Sequence, residues 1–188
     1  MTLKIEPAFT VAVPPGEDRE RRICDHCGFV DYANPRIVAG AVVAWAETGP
    51  PHGTGAAPLE DVWIMLCKRA IHPRRGYWTL PAGFMEIGET TRDAARRETR
   101  EEACAEIEID ALLAIYDIVA REQVHIFQRA RLAEPKFAAG PESLDVKLYR
   151  WADIPWDDLA FTTVHWSLRA WLDSREKDVF APYGNPDG

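Results

Sequence analysis

Residues 83 to 105 read GFMEIGETTRDAARRETREEACA and carry the most informative spacing in this 188-residue chain. The glycines at the start of this stretch, together with Pro81 just before it, predict a coil segment. The pattern that follows predicts a helix over about residues 90–103, and Thr90 with Asp93 three positions later resembles a capping box at its start. We therefore expect a loop that runs directly into a helix.

Three glutamates share one face of this predicted helix. At about 100° per residue, Glu98, Glu101 and Glu102 fall within roughly 100° of one another. Like charges at these offsets repel, whereas an ordinary surface helix gains roughly a few tenths of a kcal/mol from alternating signs. Hard divalent cations such as Mg²⁺ prefer oxygen ligands gathered in this way. Taken alone, three glutamates at this spacing are more typical of a solvated acidic face, so a metal site needs support from the surrounding residues.

The complete spacing resembles the box of Nudix hydrolases, G-x5-E-x7-R-E-U-x-E-E-x-G-U, where U is a bulky aliphatic residue. Its six fixed positions are matched by Gly83, Glu89, Arg97, Glu98, Glu101 and Glu102. Three positions depart from it, because Thr99 and Ala105 replace aliphatic residues and Cys104 replaces the last glycine. If that glycine requires a positive φ at the helix end, Cys104 costs about 1 kcal/mol but removes no catalytic group.

The resemblance implies a role for each of these residues. Glu98 and Glu102 would be the principal ligands of Mg²⁺ or Mn²⁺, with help from Glu101 and the backbone carbonyl of Ala82. The Arg97 side chain would pair with Glu89 and hold the Gly83 loop against the helix. The base that deprotonates the attacking water differs within the family, and both a box glutamate (Glu98 or Glu101) and the loop residue Glu142 stay open. The catalytic set is therefore Glu98, Glu101, Glu142 and Arg97.

The implied fold is an α/β/α sandwich around a mixed sheet, preceded by a small, degenerate zinc-ribbon-like hairpin. Apolar, β-rich runs predict strands over residues 36–45, 62–68, 106–119, 124–132 and 146–151. A second helix is expected over about residues 162–176. The Pro- and Gly-rich stretch 47–60 predicts an exposed, mobile loop. We divide the chain into an arm with the ribbon-like segment, residues 1–34, and a Nudix domain, residues 35–188.

Motifs outside the box indicate which Nudix subfamily the chain resembles. GYWTLPAG from Gly76 and GPESL from Gly140 are similar to the Nudix subfamily that includes the plant chloroplast FAD pyrophosphohydrolase and its bacterial zinc-ribbon relatives. The implied reaction cleaves a nucleoside diphosphate linked to a moiety X, giving FMN and AMP from FAD, or AMP and ribose 5-phosphate from ADP-ribose. Candidate substrate-binding residues are Arg69, Tyr77, Phe84, Glu86 and Phe161. Trp78 and Trp166 are expected in the core instead.

Two other readings of function stay open. The chain is also compatible with a pyrophosphatase of NADH or another dinucleotide, although the SQPWPFPxS-type motif of NADH pyrophosphatases is missing after Ala105. A non-catalytic nucleotide-sensing domain is the other alternative. Such domains usually lose box carboxylates, and this chain keeps all four glutamates and the arginine.

The cysteines argue against the complete zinc ribbon of the relatives. Structural zinc takes four ligands, and only one CxxC pair, Cys24 and Cys27, is present. The remaining cysteines, Cys67 and Cys104, lie in the predicted core strand and at the end of the box helix. Zn²⁺ binding in one chain is therefore not expected. A redox role for the pair is the other option, but the thioredoxin-like context is missing.

The composition and net charge of the chain limit the kinds of partner and the location that we expect. The net charge of −8 disfavours a protein that coats nucleic acid or anionic membrane, so we expect neither as a partner. The amino terminus resembles no signal peptide, and the sparse cysteines favour a reducing, cytoplasmic location. A nucleotide-containing small molecule is the expected substrate, and the family resemblance implies a homodimer.

Overall fold

A computed structural model describes residues 8–186, whose contacts divide into two units between Pro35 and Arg36. The first unit is a three-stranded antiparallel sheet of β1 (Phe9–Ala12), β2 (Arg21–Cys24) and β3 (Val30–Asp31), in the order β1-β2-β3. This sheet confirms the predicted ribbon-like hairpin and adds a third strand to it. Residues 1–7, which belong to the predicted arm, lie outside the described part of the chain.

The second unit is built around a seven-stranded mixed sheet. Its main strands are β4 (Arg36–Ala46), β5 (Val62–Arg69), β8 (Ile107–Ile118), β9 (Gln123–Leu132) and β10 (Ser143–Arg150). They lie in the order β10-β5-β4-β9-β8, and only the β4–β9 pair is parallel. Two short strands extend the sheet, β6 (Trp78–Thr79) on β5 and β7 (Ala82–Phe84) on β4.

One helix packs on each face of this sheet. Alternate residues of a strand point to opposite faces, so Ala41 and Val43 of β4 face one core and Val42 and Ala44 face the other. The first core includes Ala95 and Ala103 of helix α1 (Thr91–Ala103). The second includes Val164, Leu168 and Trp171 of helix α2 (Thr162–Ser174). These layers confirm the expected α/β/α fold.

The loop between β4 and β5 differs from expectation, because Pro51, His52 and Gly53 in its middle are buried. His52 Nε2 lies 3.4 Å from the Asp110 carboxylate. The Gly53 N–H donates to the Arg175 carbonyl oxygen at 2.6 Å. The prediction of an exposed loop is therefore wrong for this part, since local composition does not reveal partners more than 50 residues away.

The last strand also begins earlier than predicted. β10 starts at Ser143 rather than at residue 146, because Ser143 pairs with Arg69 at the end of β5. Among the described residues, 8–186, no helix is long and apolar enough to cross a membrane.

Candidate active site

The site is built where β7 leads into α1. The Thr90 hydroxyl accepts the Asp93 N–H at 3.2 Å, and the Asp93 side chain accepts the Thr90 N–H, so the capping box is complete. This cap fixes the helix start, and with it the positions of the glutamates about two to three turns further on. Gly83 of β7 lies directly against the Glu98 carboxylate, which a Cβ at this position would overlap.

Arg97 joins the loop to the helix through five hydrogen bonds. Its Nε and Nη2 donate to both oxygens of Glu89, at 3.1 and 2.7 Å, and Nη2 also donates to the Phe84 carbonyl at 3.0 Å. Its Nη1 donates to Glu98 at 2.6 Å and to Glu101 at 3.1 Å. The guanidinium lowers the pKa of Glu89, first by hydrogen bonding. Arg97 thereby holds two helix carboxylates in place while closing the loop.

Glu98 and Glu102 are buried carboxylates on the same helix face. Burial raises the pKa of both groups. For Glu102 the pKa reaches about 8, because the charge of Glu98 adds to the effect of burial, while the Arg69 charge and the Ala82 N–H oppose it. Two buried, mutually repelling carboxylates are costly unless a positive charge compensates them.

These residues fit a divalent cation. Glu102 Oε2 is buried and has no hydrogen-bond partner in the described part of the chain, so one hard oxygen ligand is left unused. Within residues 8–186, however, no three acidic, cysteine or histidine side chains already converge on one point. Mg²⁺ usually keeps several waters and binds through one or two carboxylates plus substrate phosphates. Glu98 and Glu102 provide such a pair. The more exposed Glu101 lies on the same helix, and Ala82 immediately precedes Gly83, which lies against the Glu98 carboxylate.

Glu142 approaches from the loop between β9 and β10. This loop is fixed to the end of α1, since Gly140 N–H donates to the Glu102 carbonyl at 3.0 Å and Ala138 N–H to the Ala103 carbonyl at 2.9 Å. A Cβ at Gly140 would overlap the Glu101 carbonyl oxygen. The charge of Glu142 contributes to the raised pKa of both Glu98 and Glu102, so the three carboxylates share one electrostatic environment.

The predicted substrate-binding side chains are distributed around this centre. Arg69, whose charge acts on Glu102, stacks on Phe161 with its guanidinium carbon 5.0 Å from the ring centre. Tyr77 carries Arg74 over its ring at 5.2 Å, and Phe84 is half exposed. The Glu86 side chain is exposed, and its backbone N–H donates to Glu89 at 2.6 Å.

The two tryptophans assigned to the core differ in burial. Trp78 is buried and makes an edge contact with Tyr149, in agreement with its assignment. Trp166 is half-buried and packs against the same core, with its ring 5.3 Å from that of Tyr116.

Comparison with known proteins identifies the family. Residues 50–172 match the family model described as NUDIX domain. This range includes the box and the loop that carries Glu142. The chain belongs to the Nudix family. Residues 7–33 also match a zinc-ribbon model described as Nudix N-terminal. A crystal structure of a Nudix hydrolase from Nitrosomonas europaea is 35% identical, with a TM-score of 0.82 over 98% of this chain and 97% of that chain.

Curated Nudix relatives match over shorter stretches. An ADP-ribose pyrophosphatase from Methanocaldococcus jannaschii is 38% identical over 63 residues, which are 34% of this chain and 37% of the relative. A NAD-capped RNA hydrolase from Haemophilus influenzae is 29% identical over 79 residues, 42% of this chain and 25% of the relative. The chain therefore spans well under half the length of these two proteins.

The three departures from the Nudix box are accommodated locally. The buried Thr99 hydroxyl donates to the Ala95 carbonyl at 2.7 Å, which satisfies its polar group inside the helix. Ala105 is buried in the α1-side core. Cys104 occupies the left-handed conformation at the helix end, with φ 47° and ψ 38°, so this position does favour glycine.

Sequence reasoning missed the glycines that bring separate segments of the Nudix site together. A Cβ at Gly40 in β4 would overlap Pro81 and Ala82, so this glycine lets the Ala82 backbone approach the sheet. Gly140 does the same for the Glu142 loop. For Gly40 a signal was available, because a glycine inside a β-branched run indicates a close backbone approach. Gly140 lies in a loop, where glycine is common, and gave no such signal.

Proposed function

We propose that this chain is a metal-dependent pyrophosphohydrolase that cleaves a nucleoside diphosphate linked to a second moiety. One observation carries the proposal: Glu102, buried beside Glu98, keeps an oxygen with no hydrogen-bond partner among residues 8–186. A purely structural pair would satisfy that atom or be replaced by apolar residues. Family membership and the similarity to an ADP-ribose pyrophosphatase support the reaction class.

The residues of the site have separate roles in the proposed reaction. Glu98 and Glu102 hold Mg²⁺ or Mn²⁺, assisted by Glu101 and the Ala82 carbonyl. When bound, the cation neutralises the diphosphate and makes one phosphorus susceptible to attack by water. Arg97 keeps the helix carboxylates oriented through the hydrogen bonds described above.

The water must also lose its proton to a carboxylate. Glu142 is exposed, and its loop is tied to the metal-binding helix, so we assign it as the base. Glu98 and Glu101 are the box alternatives, but the carboxylates of both accept a hydrogen bond from Arg97. If Glu142 is the base, replacing it by Gln lowers kcat far more than replacing Glu101 by Gln, with KM little changed in both.

The substrates proposed first are ADP-ribose and FAD. Arg69 supplies a cation next to the carboxylate centre, suited to a phosphate oxygen. Phe84, Tyr77 and Phe161 offer aromatic faces for an adenine or flavin ring. The ADP-ribose assignment has the support of the curated relative, while the FAD assignment rests on the motifs shared with the plant enzyme's subfamily.

A dinucleotide such as NADH is the second candidate. The similarity to a NAD-capped RNA hydrolase favours it, since the bond cleaved would again be a diphosphate next to a nucleoside. We do not extend this to RNA itself, because a net charge of −8 opposes binding of a polyanion.

A substrate panel tests the proposal. Purified protein is incubated with Mg²⁺ and, separately, with FAD, ADP-ribose, NADH, CoA or oxidised nucleoside triphosphates, and products are identified by mass spectrometry. We expect release of AMP together with FMN or ribose 5-phosphate. Binding of these nucleotides without release of any monophosphate would instead favour the non-catalytic sensing domain.

A matched variant guards against a contaminating hydrolase. We expect Glu102→Gln to lower turnover by more than about a hundredfold while the thermal unfolding transition stays sharp, because the side chain keeps its shape and loses only its ligand charge. Wild-type turnover in this variant would contradict the assigned ligand role.

A further inference from the structure

The hairpin that joins β5 to β6, residues 69–77, carries an excess of positive charge. Residues 62–85 contain Lys68, Arg69, Arg74 and Arg75 but no aspartate or glutamate, although the whole chain has a net charge of −8. Among residues 8–186, no carboxylate lies within 4.0 Å of a basic nitrogen of these four side chains. The basic hairpin is therefore a local positive surface on an acidic protein.

The basic hairpin lies beside the carboxylate centre. The Ala70 N–H donates to the Glu142 carbonyl oxygen at 2.8 Å, and the loop that carries Glu142 is itself hydrogen-bonded to the end of α1. Burial raises the pKa of Glu102, and the charge of Arg69 opposes that shift. Arg69, at the base of the hairpin, is thus placed for the diphosphate, as proposed above. The rest of the hairpin extends from the edge of the same site.

Two further arginines are held in place along this hairpin. The Gly76 N–H donates to the Arg69 carbonyl at 2.9 Å, and the Tyr77 N–H donates to the Arg74 carbonyl at 3.2 Å. The Arg74 guanidinium carbon lies 5.2 Å from the centre of the Tyr77 ring, and Arg75 is exposed. Arg74 has a φ of 61°, a left-handed conformation that favours glycine or asparagine. The turn itself therefore gives no reason for an arginine at this position.

We propose that Arg74 and Arg75 bind a phosphate monoester that the substrate carries in addition to the diphosphate that is cleaved. The diphosphate already has two sources of positive charge, Arg69 and the cation assigned to Glu98 and Glu102. Two more guanidinium groups exceed what a diphosphate requires. They match a phosphate dianion through charge-assisted, bidentate hydrogen bonds. The inference rests on the proposed function and defines its substrate class more narrowly.

The stacking of Arg74 on Tyr77 indicates which part of the substrate carries this phosphate. One face of the Tyr77 ring is occupied by the guanidinium, so a nucleobase would stack on the other face. A group attached to the ribose of that nucleoside then lies close to Arg74. The expected substrate is a nucleoside diphosphate derivative whose adenosine ribose bears an additional phosphate.

Matched substrate pairs that differ by one ribose phosphate test this inference. With the full-length protein and Mg²⁺, kcat/KM is measured for NADPH and NADH, for CoA and dephospho-CoA, and for ADP-ribose with and without a 2′-phosphate. In at least one pair we expect a kcat/KM about tenfold higher for the phosphorylated member, mainly through a lower KM. A ratio near one in every pair that is hydrolysed would overturn the inference and leave the hydrolase proposal intact.

Variants of the hairpin assign the preference to its arginines. Arg74→Gln and Arg75→Gln should each reduce the ratio to below about threefold, and Arg75→Lys should retain part of it, because lysine keeps the charge but loses the bidentate geometry. Arg169→Gln, which removes an exposed positive charge from α2, should leave the ratio unchanged. An equal loss for both members of a pair in Arg75→Gln would overturn the inference, because it would show that Arg75 binds the shared diphosphate.

Binding measured without turnover separates this inference from the proposed reaction. Isothermal titration calorimetry compares AMP with adenosine 2′,5′-bisphosphate and adenosine 3′,5′-bisphosphate. We expect at least one bisphosphate to bind about tenfold more tightly than AMP, and Arg75→Gln to remove the difference. If this holds while no substrate is hydrolysed, the proposed reaction is wrong and the phosphate site stands. Equal affinities for the three nucleotides would overturn the phosphate site, even in an active enzyme.

Discussion

At the scale of single residues, Glu102 links folding to the proposed chemistry. Its carboxylate is desolvated, repelled by Glu98 and left with one unsatisfied oxygen. Such a group destabilises the ionised protein in the absence of a cation, and a bound cation reverses that effect. Relief of this desolvation and repulsion would therefore contribute to the free energy of metal binding.

The raised pKa of Glu102 predicts an unusual pH dependence of stability. Between its ordinary pKa of 4.5 and about 8, the folded, metal-free protein holds a proton that the unfolded chain has released. The free energy of unfolding should thus fall as pH rises through this window, by on the order of a few kcal/mol. Mg²⁺ should stabilise the protein more at pH 8 than at pH 5. Thermal unfolding at several pH values, with Mg²⁺ or a chelator, measures both effects.

The control for this prediction is Glu102→Gln. Burial lowers the pKa of His125 and His165, so their titration changes stability with the opposite sign and is common to both proteins. The difference between wild type and variant isolates Glu102. Parallel pH curves for the two proteins would show that Glu102 is not protonated in the metal-free fold.

At the scale of elements, two different structural features define the end of α1. One is the left-handed Cys104, where glycine would be unstrained. We expect Cys104→Gly to raise the free energy of unfolding by about 0.5–1 kcal/mol, because it relieves the positive φ at an exposed position. Chemical denaturation measures this change. Cys104→Ala removes the same thiol but keeps the strain, so an equal gain in that variant would assign the effect to the thiol instead.

The other feature is the close approach of Gly140 to the end of α1. Gly140→Ala should lower stability by on the order of 1–3 kcal/mol and reduce kcat at least tenfold, because the Glu142 loop must move away from the Glu101 carbonyl. Gly184→Ala is a suitable control, since a Cβ there meets no atom of the described residues within 4 Å. Denaturation and steady-state kinetics, compared for the two variants, decide whether the loop position matters. Equal behaviour of the variants would contradict the positioning role of Gly140.

Features set by nearby residues could be predicted from the sequence, whereas features set by contacts between distant segments could not. The box helix and its cap follow from local spacing, and the resemblance to the Nudix box implied the pairing of Arg97 with Glu89. The β10 start depends on pairing with Arg69, and the burial of His52 depends on Asp110, both distant in sequence. Such features arise only when remote segments meet. For the same reason the contact between Gly140 and Glu101 could not be read from either segment alone.

At the scale of the whole molecule, buried apolar residues are distributed unequally between the units. Both core clusters, with the aromatic residues packed against them, lie between residues 41 and 183. Hydrophobic burial is the main favourable term in folding, so the second unit holds nearly all of it. The buried carboxylates of the proposed site and the Arg97 hydrogen bonds also lie within residues 36–188.

This distribution predicts that the segment 36–188 folds and works without the first unit. Expressed alone, it should retain a cooperative thermal transition within a few degrees of the full chain, because none of its core contacts is removed. Its turnover of the best panel substrate should stay within about threefold, since every residue assigned to the reaction is present. Circular dichroism and steady-state kinetics measure the two quantities. A segment that aggregates or loses its cooperative transition would contradict this prediction, because it would show that the first unit is needed for the stability of the second.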